Sequence, residues 1–128
     1  EISKIKTRLK PLMNSRENNK DHKLFFEIMK KMNVFSKSND TEFIFVYLPA
    51  WERYFSKFSK YNNNIAKKNY ILDEIEKMDI HFIDIDKAFS KEDSLEVFFP
   101  LHYYGHYSRL GYKKVTETIL ANLKRDEG

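Results

Sequence analysis

Six consecutive apolar or aromatic residues, Phe43-Ile44-Phe45-Val46-Tyr47-Leu48, stand between polar turn residues and Pro49. A run of that length without polar interruption reads as a strand covered on both faces, the pattern of a parallel sheet. A second strand is expected over Ile80-His81-Phe82-Ile83-Asp84-Ile85-Asp86. Between the two, Ile71, Leu72, Ile75 and Met78 mark a helix from about Ala66 to Met78. Strand, helix and strand form a βαβ unit, so the two strands should lie parallel and adjacent or nearly so.

The rest of the chain is arranged around this unit. Residues 1–20 read as a basic N-terminal segment or linker, interrupted by Pro11. From Asp21 a helix is expected, with Phe25, Ile28, Met29, Met32 and Phe35 as a stripe assigned to the core. Lys87 to Val97 reads as a loop or short helix. A last helix should begin near Arg109 with Ser108 as its N-cap. Its apolar stripe is Tyr112, Val115, Ile119, Leu120 and Leu123.

Composition excludes several function classes. The 128 residues suffice for one domain, and 41% are hydrophobic, enough for a core. The net charge of +4 is spread among 19 acids, which reads as solvated faces and not as a nucleic-acid footprint. With no cysteine, disulfides and thiolate metal sites are excluded. The longest apolar run is far too short to span a membrane. No Gly-rich phosphate loop and no HExxH occurs, and no cofactor is expected. His102 and His106 are four residues apart, but Gly105 and Pro100 argue against the helix a metal pair would need.

The chemistry-bearing residues collect in two places. Trp51 and Arg53 follow the carboxyl end of the first strand, where open α/β sheets bind ligands. They are candidate substrate-binding wall residues. The second place is Phe98 to Tyr112, where His102 and His106 meet two of the three glycines and one proline. His106 stands on a loop before a helix N-terminus, where an imidazole can exchange a proton near neutral pH.

The run Gly105-His106-Tyr107-Ser108-Arg109-Leu110-Gly111-Tyr112, with the helix after it, resembles the last sequence block of the SGNH (GDSL-type) hydrolases. The order of a strand ending in Leu48-Pro49, a helix, a strand ending in Ile83-Asp84-Ile85 and then the His block is also similar to the second half of that domain. The resemblance implies an α/β fold of flavodoxin-like type, a parallel sheet with flanking helices, incomplete in this chain. Residues 21–128 would be the C-terminal half. It implies His106 as general base for a serine nucleophile, with Tyr103 and Tyr104 as substrate-binding neighbours, and an ester or acylated glycan as substrate. Asp84 matches an acid often found at the end of its strand, although capping the next turn is its expected role.

Two departures accompany the resemblance. The family's Asp three residues before the His is Tyr103 here, and no glycine precedes an Asp-Ser pair. The nucleophile is therefore expected from the missing N-terminal half of the domain or from another chain. The chain opens at Glu1 without Met, which suits a processed chain or a piece of something longer. The alternative expectation is a non-catalytic α/β module that binds a partner or a glycan.

Overall fold

The computed structural model describes residues 22–55, 64–100 and 106–126, and the expected segment 1–20, with Tyr103 and Tyr104, lies outside them. The chain divides into two compact units, Glu1–Phe43 and Ile44–Gly128. In the first, residues 22–37 form helix α1. Its ending uses Asp40 in the left-handed region at φ 51°, with the Thr41 amide donating to the Ser36 carbonyl at 3.0 Å. The α1 stripe assigned to the core is not buried. Phe35 is 66% exposed, and Ile28 and Met32 are also exposed, as are Leu24 and Val34 beside them. The helical period is present, and Phe25 and Met29 on the same stripe are half-buried.

The second unit is a mixed α/β structure, mostly helical, built on a small parallel sheet. Strand β1 is Ile44–Tyr47, helix α2 is Glu52–Phe55, helix α3 is Asn64–Lys77 and strand β2 is His81–Asp84. Helix α4 (Ile85–Phe89), a 3₁₀ turn (Glu96–Phe98) and helix α5 (Arg109–Asp126) follow. The βαβ expectation is met: β1 and β2 pair in parallel, with Ile44 opposite His81 and Tyr47 opposite Asp84. Their carboxyl ends are therefore level. Asp79, left-handed at φ 54°, turns the end of α3 into β2, a conformation Asp tolerates better than most residues.

Side chains alternate across the sheet. Ile44, Val46 and Ile83 join a core with Ile85, Phe89, Phe98, Phe99 and Val115, drawn from α4, the 3₁₀ turn and α5. From the opposite face Lys68 of α3 reaches Tyr47 and Asp84. Among the described side chains of α3, Lys68, Leu72 and Ile75 are buried, at i, i+4 and i+7.

Three expectations are corrected. The first strand is half-buried along its whole length and not fully buried. Only one strand flanks it among the described residues. The second strand stops at Asp84, and Ile85 and Asp86 belong to α4. The Asp84 carboxylate accepts the Asp86 amide at 3.1 Å, an N-cap that starts the helix and ends the strand. In α5 the face that packs runs through Gly111, Val115 and Ile119, whereas Tyr112, Leu120 and Leu123 stay largely exposed. Its start is as expected: Ser108 Oγ accepts the Gly111 amide at 3.1 Å and donates to the Val97 carbonyl at 2.5 Å.

At Gly111, α5 lies close against the 3₁₀ turn. A Cβ there would stand 2.5 Å from the Phe98 carbonyl oxygen and 2.9 Å from Tyr107 Cβ. In an open helix Gly→Ala stabilises by about 1 kcal/mol. Here the clash with main chain reverses the sign, and Gly111→Ala is expected to destabilise the unit by about 1–3 kcal/mol. Thr116→Ala, on the exposed side of α5, should stay within about 0.5 kcal/mol of the parent. Urea unfolding of the two variants checks both values.

Candidate functional site

Two carboxylates two residues apart, Asp84 and Asp86, emerge where β2 becomes α4. Neither faces open water: Asp84 is 3% and Asp86 10% exposed at the side chain. Lys68 Nζ lies 2.6 Å from Asp84 Oδ2 and 2.7 Å from Asp86 Oδ2. Arg53 Nη2 lies 2.6 Å from the same Asp86 oxygen. The Tyr54 hydroxyl donates to Asp86 Oδ1 at 2.6 Å. Two cations and two anions thus balance in a network that joins α2, α3, β2 and α4. The Lys68 ammonium also stands 5.4 Å from the centre of the Tyr47 ring.

The electrostatics follow from these contacts. Burial by itself would raise the Asp86 pKa, but hydrogen bonds from Arg53, Lys68 and Tyr54 outweigh it and hold the carboxyl at about 2. Burial raises the Tyr54 phenol, and its bond to the Asp86 carboxylate raises it further. Burial also raises Tyr47, against the opposing pull of Arg53. For Arg53 burial works against the charge, but the bond and proximity to Asp86 raise its pKa overall. The Arg53–Asp86 pair is thus held in its charged form, with the raised phenols of Tyr47 and Tyr54 beside it.

A cleft of ≈ 380 Å³ opens beside it, lined by Tyr47, Ala50, Glu52, Arg53, Lys68 and Ile71. It lies at the carboxyl end of the two strands, where α/β sheets place ligands. Arg53, expected as a wall residue, lines it, with Nη2 committed to Asp86 and Nη1 buried without a hydrogen-bond partner among the described residues. Trp51 packs against the hydrophobic core, its ring 5.5 Å from Phe55.

The His106 loop reaches the same end of the sheet through its neighbour. Tyr107 donates its hydroxyl to the carbonyl of Pro49, just past β1, at 2.5 Å. The Ser108 amide donates to the Phe98 carbonyl at 2.8 Å. His106 itself is exposed and immediately precedes this fixed pair. Among the described residues no group of three or more His, Asp or Glu is placed to hold a metal ion. Among them, too, no helix is long and apolar enough to cross a membrane.

Lys68, Asp86 and Tyr54 are site residues that the motif reading passed over. The signals were present. Lys68 sits in phase with Leu72 and Ile75, and a lysine on the buried stripe of a helix requires a carboxylate partner. Asp84 and Asp86 end an apolar strand and supply two. Comparison with protein-family models, with curated proteins and with solved structures finds no match.

The Asp86 pKa sets an acid limit on stability. Its folded value of about 2 lies below the ordinary 3.8, so its contribution is complete above about pH 4 and is lost as pH falls through about 2. Asp86→Asn, which leaves Arg53 and Lys68 short of an anion, should cost about 3–5 kcal/mol at neutral pH and flatten that acid dependence. Denaturant unfolding at pH 7, 4 and 2.5 measures both effects.

Proposed function

We propose that this chain is the histidine-bearing segment of an SGNH-type serine esterase or acyltransferase, with a flavodoxin-like sheet completed by strands outside it. The observation that carries the reading is the docking of the His106 loop, through Tyr107, on the main chain that leaves β1. A base at the carboxyl end of a parallel sheet stands where such a fold assembles its site. The parallel βαβ unit and the half-covered β1 support the reading.

The proposed chemistry is acyl transfer. His106 removes the proton of a serine hydroxyl as that oxygen attacks the ester carbonyl, and returns it to the leaving alcohol. The serine and the oxyanion donors come from the missing part of the domain or from another chain. Tyr103 and Tyr104 are the neighbours proposed to contact substrate, which is an ester or an acylated glycan. The cleft beside Arg53 and Tyr47 is the space offered to the acyl or glycan portion.

The second reading is a non-catalytic module that binds a partner or a glycan. One observation favours it: Arg53, Lys68, Asp84 and Asp86 are held in ion pairs with one another, as in a structural network. Turnover separates the two. In the complete protein, His106→Ala is expected to lower hydrolysis of a short-chain ester on the order of 10⁴-fold, with folding unchanged. His81→Ala, inside β2, should have a far smaller kinetic effect. Equal losses, or none at His106, would favour the binding module. The 128 residues by themselves should hydrolyse nothing.

A further inference from the structure

We propose that Tyr107 is the positioning residue for His106, clamping the turn at residues 106–108 to the main chain after β1. The inference rests on the reading of His106 as the base, and it adds a residue that the sequence block alone does not single out.

The clamp has three parts. The Tyr107 hydroxyl donates to the Pro49 carbonyl at 2.5 Å, bridging two segments 58 positions apart. Pro49 is itself fully buried, so the acceptor is fixed. The Tyr107 ring is held among aromatic neighbours, 5.4 Å from Phe89, 5.4 Å from Phe99 and 5.6 Å from Tyr112. The next residue is tied down as well, through the Ser108 amide to Phe98 and its hydroxyl to Val97. The first turn of α5 is moulded round the same side chain, since Tyr107 Cβ lies within 2.9 Å of where a Gly111 side chain would begin.

The donor is also dependable. Burial, then the nearby Tyr47 and Tyr112 hydroxyls and Asp86, push the Tyr107 phenol well above its ordinary range. It stays protonated and donates at any working pH. His106 is thus an exposed side chain next to a mount held by the Tyr107 hydroxyl and by Ser108. That arrangement suits a proton-transfer group, because a misplacement of about 1 Å costs on the order of 10²-fold in rate.

The test uses Tyr107→Phe in the complete protein, which keeps the ring and deletes the bond. Tyr112→Phe, which keeps the neighbouring ring and removes a hydroxyl that takes no part in the Pro49 bond, is the control. Amide exchange at residues 106–108 should speed up by about tenfold in Tyr107→Phe and stay unchanged in Tyr112→Phe. The His106 imidazole signals in NMR spectra should move in the first variant alone. With p-nitrophenyl acetate as probe, kcat should fall about 10²-fold with KM unchanged. In the unaltered protein the Tyr107 hydroxyl proton should be resolved and slow to exchange, a measurement that needs no variant to fold. A fast-exchanging hydroxyl overturns the clamp, as do unchanged His106 signals in Tyr107→Phe or equal changes in both variants. If His106→Ala leaves turnover intact, the base reading fails, and the exchange and imidazole measurements still decide whether Tyr107 fixes the loop.

Discussion

Asp86 receives three donors from two helices: Arg53 and Tyr54 of α2, and Lys68 of α3. Its neighbour Asp84 starts α4 and binds the same lysine. This one network decides how the carboxyl end of the sheet is closed. A buried charge without a counter-charge costs several kcal/mol, so an alternative packing that separates these groups is penalised. The net stabilisation over a hydrophobic filling is small. Removing one partner would cost more, since it leaves a buried charge uncompensated.

The aromatic core complements this network on the other face of the sheet. Phe89 is fully buried and stacks 4.3 Å from Phe98, while Phe99 touches Tyr54, Phe55 and Tyr107. These contacts carry the 3₁₀ turn and the start of α5 onto the sheet. Tyr54 belongs to both systems, with its ring in the aromatic cluster and its hydroxyl on Asp86. Tyr107 does the same between the aromatic cluster and the Pro49 carbonyl. Amphipathic rings suit this duty, since they bury a large apolar area and still satisfy a polar group at the rim.

The exposed apolar surface has a physical meaning of its own. A parallel strand is ordinarily covered on both faces, yet β1 is half-buried, and Leu48 just after it is 52% exposed. Tyr112 and Leu120 of α5 are about half exposed, beside a packed face that is already complete. In the first unit, α1 shows the same excess of exposed Leu, Val and Phe. Each of these side chains would gain from burial, at about 25 cal/mol per Å² of apolar area removed from water. That fits the proposal of a domain completed from outside these residues.

The sequence by itself determined the local structure. The unbroken run Phe43–Leu48, the Ile-rich second strand and the helical stripe between them specify a parallel βαβ unit, because period and length are encoded residue by residue. Ser108 likewise announced the start of α5 through its capping chemistry. Tertiary structure decided which faces are buried. The stripes of α1 and α5 have the right period, but burial depends on what lies opposite, and period carries no information about that. It also decided the ends of elements and the pairing of charges. Asp84 stops a strand that hydrophobicity would continue to Asp86, since its carboxylate caps the amide two residues on. Lys68 finds Asp84 and Asp86 across 16 and 18 positions, and Tyr107 finds Pro49 across 58, partners that no local window contains.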